Sequence, residues 1–258
     1  MRKLISAFLF CALLLFPVVA VTSVWADDAA IFTSGEYSCR LLQDGSAEIV
    51  KVTGHGEKTL ELPSSLEGYT ISAIGDCAFE NGKGIESITI PDSILTVGIN
   101  PFSSCSTLEK IFVSPAHPTL TVVDGVLISK PDSRLVCFPA ELFTNYYTVP
   151  DGIREIGSRA FFNSAHLVAI TIPESVNRIS ESAFSICSYL EKVTVLGGVM
   201  EIGPYAFHLC ENLKSVQLSD SVTDIGRYAF LGCRKLNDLT IPQSVTNIGE
   251  GAFLQVPR

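Results

Sequence analysis

Four cysteines, Cys105, Cys187, Cys210 and Cys233, each follow a phenylalanine by three residues and share one position of a recurring frame. Ser164 holds that place in the intervening unit. A column of thiols invites a metal or redox reading, because neighbouring extended segments lie about 4.8 Å apart, within the Cα separation a disulfide tolerates. Zinc, however, needs ligands that converge tetrahedrally, and a straight column does not converge. On the apolar side of a turn a free thiol serves as small core filler, so buried thiols are expected. Cys39, Cys77 and Cys137 lie outside the column, and their pairing stays open.

Other reactive types give weaker patterns. His55, His117, His166 and His208 share no position in the frame, and no cysteine or acid is placed to partner them. Solvated surface histidines are expected. Asp92, Asp151, Glu174 and Asp220 form an acidic column that calcium could use, but Gly197 and Gln243 interrupt it. A solvated edge that discourages strand pairing is the simpler reading. Tyr205 and Tyr228, 23 residues apart, are expected as exposed edge anchors for a partner. No nucleophile elbow, phosphate loop, zinc-protease motif or paired-carboxylate pattern occurs. The expectation is a non-catalytic chain with no metal and no cofactor.

The frame behind these columns has a period of 23 residues, marked by Phe79 and Phe102, then by Phe161, Phe184, Phe207, Phe230 and Phe253. From Phe102 to Phe161 the gap is 59, two periods plus 13, so one insertion falls between Val113 and Pro150. Repeats of this length read as a solenoid whose coils bury their apolar sides only by stacking. Leu167, Ile170 and Ile172 alternate as a short strand that Pro173 ends, since proline lacks the donor to continue a ladder. Val176 and Ile179 point inward from a second extended segment. Gly157, Gly203, Gly226 and Gly249 occupy the next corner, where turning is expected. Ala183, Phe184 and Cys187 then fit one short helical turn, and the phenylalanines are expected to stack as a continuous spine.

Two hairpins interrupt the pattern. Asp44-Gly45 separates Tyr37-to-Leu42 from Ala47-to-Val52, an N-terminal hairpin that covers the first coil. Lys130-Pro131-Asp132-Ser133 separates two apolar runs inside the insertion. Ahead of both, Arg2-Lys3, an apolar run from Leu4 to Val21 and Val24-Trp25-Ala26 read as a secretory leader cut after Ala26. The expected division is 1–26 leader, 27–59 capping hairpin and 60–258 repeat domain, with the hairpin insert at about 114–150. No second apolar run is long enough to span a membrane, and the C-terminus has no polar cap, which reads as a truncated chain.

The unit I-x-I-P-x-S-V-x-x-I-G-x-x-A-F-x-x-C resembles the BspA-like, or treponemal-type, leucine-rich-repeat family over roughly residues 60–258. The inserted Asp124-to-Ser129 and Leu135-to-Pro139 look like that family's insert. The resemblance implies a repeat α/β, strand-dominated leucine-rich-repeat solenoid with parallel strands on its concave face. It also implies a secreted or cell-surface recognition protein that binds extracellular proteins, host matrix or surface proteins among them, as an adhesin does. Ligand binding is then expected on the outward strand positions Thr89, Phe112, Thr171, Thr194, Gln217 and Thr240, edged by Lys192, Lys214 and Asp238. Loss of the leader would remove Arg2 and Lys3 from 18 basic residues against 27 acidic ones, so nucleic acid is an unsuited partner. Cleavage would also remove Trp25, the only tryptophan and the usual sugar platform. The rival readings are a structural spacer in a larger surface assembly and, last, a secreted hydrolase. Oligomeric state stays open.

Overall fold

The computed structural model describes residues 30–54 and 57–257. The expected leader with its cleavage after Ala26, and His55, lie outside the described residues. β1 (Ile31–Ser34), β2 (Tyr37–Leu41) and β3 (Ala47–Val52) form an antiparallel meander. Asp44 Oδ1 accepts from the Ser46 amide at 2.9 Å at the hairpin turn, where Gly45 takes a φ of 83°. β4 (Thr59–Glu61) and β5 (Ser65–Leu66) follow, and β6 (Tyr69–Ile74) pairs parallel with β3, joining the meander to the coils.

Long and short strands then alternate. β7 (Ser87–Ile90), β8 (Thr96–Val97) and β9 (Lys110–Val113) precede the insertion, which holds β10 (Leu120–Val123), β11 (Val126–Ser129) and β12 (Arg134–Cys137). The regular coils pair a long strand with a short one. They are β13 (Tyr146–Thr148) with β14 (Glu155–Ile156), then β15 (Ala169–Ile172) with β16 (Arg178–Ile179). β17 (Lys192–Val195) with β18 (Glu201–Ile202) and β19 (Ser215–Gln217) with β20 (Asp224–Ile225) continue the series. β21 (Asp238–Leu239) and β22 (Asn247–Ile248) complete it. The long strands stack in parallel as β13-β15-β17-β19-β21, and the short ones as β14-β16-β18-β20-β22. Leu167, Ile170, Ile172, Val176 and Ile179 are all buried, Ile170 and Ile172 by the period-2 alternation of β15.

The third side of each coil differs from expectation. The Ala-Phe segment is not a helical turn. Arg159, Ser182, Tyr205 and Tyr228 take φ values of 55–59°, and Asn163, Ile186 and Leu209 values of 56–63°. The left-handed residues turn alternate amides out of the coil. The amides of Tyr205, Phe207 and Leu209 donate to Arg227, Ala229 and Leu231 of the next coil at 2.7–3.0 Å. The amides between bond locally, His208 to the Tyr205 carbonyl at 3.0 Å. A helix would spend every amide inside its own turn; here half of them form a third parallel ladder. The glycine corners are likewise close approaches rather than left-handed turns. A Cβ on Gly226 would lie 2.5 Å from the Pro204 nitrogen of the coil before it.

The insertion is a septum. All four residues of β11 are buried, and its hairpin with β12 turns through residues 130–133. Leu127, Val136 and Cys137 pack into the N-terminal core, while Val126, Ile128, Leu135 and Phe138 pack into the C-terminal one. The phenylalanine spine is therefore broken rather than continuous. Phe79 and Phe102 pair at 5.3 Å, and a separate stack runs from Phe138 through Phe161, Phe184, Phe207 and Phe230 to Phe253. Phe138, 23 residues before Phe161, belongs to the column although it sits in the insertion.

Buried polar groups explain one column of the sequence and one histidine. Cys105, Cys187, Cys210 and Cys233 donate their thiols to the carbonyls of Phe79, Phe161, Phe184 and Phe207 at 2.9–3.1 Å. Each closes one carbonyl of the preceding coil. His117 is no surface residue: it is 0% exposed. Its Nδ1 accepts from the amides of Thr119 and Leu120 at 3.3 and 3.0 Å, which leaves Nε2 to donate to the Pro91 carbonyl at 3.3 Å. The ring thus ties the start of the insertion to the coil before it.

Candidate recognition surface on the long strands

Parallel register sets the outward side chains of the long strands in rows. Thr148, Thr171, Thr194 and Gln217 are mutual partners, and Thr240 continues the row just past β21. Beside it runs a second row, Tyr146, Ala169, Lys192, Ser215 and Asp238. Thr89 and Phe112 are also partners, with Glu61 preceding them, but in the separate sheet β4-β7-β9. The six-residue ladder expected from the sequence is thus two ladders, divided at the septum. Sequence reasoning missed Glu61 and Thr148, which the 23-residue frame places once the insertion is located.

Lys192, Gln217, Asp238 and Thr240 come together around a shallow polar depression of about 250 Å³. Asp238 is held there by Ser215, whose hydroxyl donates to it at 2.7 Å. Lys214 lies one position earlier and is bonded to Glu191 at 2.8 Å. Lys58 bonds Glu86 in the same manner at 2.6 Å, and that hydrogen bond raises its pKa. Tyr205 and Tyr228 are elsewhere, on the turn ladder. They are half-buried rather than free, their rings stacked 5.3 Å apart, with the Arg227 guanidinium over Tyr205 at 5.3 Å. His208 packs against Tyr205 at 5.7 Å, and burial lowers its pKa.

The four most exposed aromatic groups among the described residues lie on or just ahead of the long strands. Phe112 is 50%, Phe143 83%, Tyr146 76% and Tyr189 60% exposed. Phe143, His166 and Tyr189 are spaced by 23, a column at the leading edge of the strands. Phe143 and His166 are 5.1 Å apart, and His166 Nε2 meets Glu141 at 2.8 Å. His166 therefore does have an acidic partner, contrary to the reading that no acid is placed against a histidine. Its signal was the period itself, hidden because each coil fills the position with a different residue.

Comparison with known proteins accords with this geometry. Residues 57–122 and 136–257 match the BspA type leucine rich repeat region, in 6 copies. The chain belongs to the BspA-type leucine-rich-repeat family. Between the matched blocks of this BspA-type chain lie β11 and its turn, the septum rather than a coil. The structure is similar to the pneumococcal vaccine antigen PcpA, with a TM-score of 0.68 and 26% identity over 77% of this chain and 55% of that one. The chain spans about half the length of PcpA. A leucine rich repeat protein of T. pallidum shares 26% identity, with a TM-score of 0.48 over 88% of this chain and 90% of that one. A leucine rich cell surface protein of Faecalibacterium prausnitzii shares 19%, with a TM-score of 0.45 over 87% and 96%. No curated protein matches the sequence.

Proposed function

We propose that this BspA-type chain is a secreted or cell-surface recognition module that binds protein ligands, in the manner of an adhesin, through its long-strand face. The observation that carries this reading is the exposure of Phe112, Phe143, Tyr146 and Tyr189 along one set of strands. Exposed aromatic groups cost solubility unless a partner covers them, and they are the side chains that anchor interfaces. Beside them, rows of Thr and Ser on a ladder-fixed backbone present hydroxyls in register, with little ordering left to lose on binding. Resemblance to a pneumococcal antigen supports the location, as do the n-region and the small residues before Asp27 in the sequence. In this role the surface binds and performs no chemistry. The test is an array of extracellular-matrix proteins, mucins and glycans probed with residues 27–258 at physiological salt. A saturable protein hit that weakens when Phe143, Tyr146 and Tyr189 become Ser supports the module. A blank array from folded protein overturns it and leaves a structural spacer.

A further inference from the structure

The septum breaks both parallel sheets, and the two breaks are treated differently. On the short-strand side, where β8 and β12 do not pair, the Arg134 guanidinium donates to the carbonyls of Val97 and Gly98 at 3.0 and 3.3 Å. That edge is closed by a side chain. On the long-strand side β9 ends the sheet β4-β7-β9 and β13 begins the next, and no strand among the described residues pairs with either free edge. One hydrogen bond pins the near end of this seam, from the Glu141 amide to the Leu108 carbonyl at 2.9 Å. Beyond it lies a cavity of about 280 Å³ lined chiefly by Ile111, Phe112, Val113, Val122 and Leu142. A volume of that order takes a leucine- or phenylalanine-sized side chain. Its rim carries more acid than base: Glu109 and Lys110 line it and the exposed Asp124 precedes Gly125 in its wall, while Lys58, which feels the Glu109 charge, is held by Glu86 at 2.6 Å.

We infer that the seam between β9 and β13 is the docking site for an extended, basic segment of a partner polypeptide, which seats one bulky apolar side chain in the cavity. The segment runs along the free strand edges and so continues the parallel ladder that joins every other pair of regular coils. Its apolar side chain covers Phe112 and Leu142, and its flanking lysines or arginines face Glu109 and Asp124. This rests on the reading of the long strands as a recognition face, but it locates one subsite away from the Thr171–Gln217 row.

The test is panning of random phage-displayed peptides on the folded chain, followed by affinity measurement with the enriched peptides. The expected peptides carry one Leu, Ile or Phe between basic residues. Val122→Phe, which fills the cavity, and Glu109→Lys, which reverses the rim, should each weaken them about tenfold or more. N-methylation of alternate peptide amides should abolish binding, because strand addition needs those donors. Phe112→Lys, at an already exposed position, serves as a variant that does not depend on repacking the cavity, and it too should weaken binding. Peptides that bind all three variants and tolerate N-methylation overturn the inference, as does the absence of any enriched peptide. Neither of those results bears on lysine substitutions in the Thr171 row, so failure of the seam and failure of the whole face are distinguishable.

Discussion

At the residue scale, the cysteine column shows how one side chain meets two demands of a coil. It is small enough for the inner face beside a phenylalanine stack, and its thiol gives a further donor to a carbonyl that the turn of the preceding coil bonds only once through its backbone. Burial pushes the thiols of Cys105 and Cys233 from the ordinary 9.0 up to about 12, and those of Cys137 and Cys210 rise with it. The folded chain keeps these protons while the unfolded chain begins to release them at its ordinary thiol value. Stability is therefore whole below that value and falls as pH rises from there. Urea midpoints should drop as pH rises from about 9 towards about 12, and less steeply in a Cys105→Ala, Cys233→Ala double variant. His117 makes a second prediction. His117→Ala leaves the Thr119 and Leu120 amides without partners and takes one of two donors from the Pro91 carbonyl, a loss of about 1–3 kcal/mol in urea unfolding. A change within error would mean that these groups find other partners.

At the scale of the element, the turn ladder is the least helical part of a segment whose sequence looked helical. A-F-x-x-C places two apolar side chains three residues apart, which one helical turn also does, so spacing alone cannot separate the two. The distinction lies in the residues before Ala and after Phe, which hold left-handed φ in every regular coil although most are not glycine. Their conformation is imposed by hydrogen bonds to the next coil, a long-range cause that no local pattern reports. Ser182→Gly should therefore stabilise the protein, by up to about 1 kcal/mol, because glycine adopts that φ without a Cβ penalty. The opposite change at the corner, Gly226→Ala, drives a Cβ into the Pro204 backbone and should cost about 2 kcal/mol or more. Thermal unfolding of the two variants checks both signs.

At the scale of the whole molecule, the septum divides one solenoid into two cores that share a wall. Leu127 serves the N-terminal core and Leu135 the C-terminal one, from facing strands of the same hairpin. Contacts in a solenoid reach only neighbours, so damage should stay on its own side. Leu127→Ala and Leu135→Ala should each cost about 2–5 kcal/mol. Hydrogen exchange should rise mainly before the septum in the first variant and mainly after it in the second; equal spreading in both would refute the division. Much of this architecture was legible. The period, the strand positions and the buried columns follow from one repeating unit, because a coil that stacks on copies of itself must place the same residue types at the same points, and both hairpins follow from their turn residues, Asp44-Gly45 and Lys130-to-Ser133. What escaped was the consequence of the insertion. Phe138 keeps the 23-residue spacing yet was read only as part of a hairpin, and the broken ladder at Phe112 and Thr148 followed from that. Phe143, His166 and Tyr189 escaped because a recognition face varies from coil to coil, which erases the repetition that reveals a core.

The central claim is that the long-strand face is where this protein meets its ligands. The most direct measurement is the affinity of an array-identified protein ligand for a chain carrying Thr171→Lys, Thr194→Lys and Gln217→Lys together. All three side chains point outward in one row and are not buried, so the variant should fold with an unchanged melting profile. The account predicts that binding falls by about tenfold or more at physiological salt. Undiminished binding by a well-folded triple variant would contradict it and place recognition on another side of the coil.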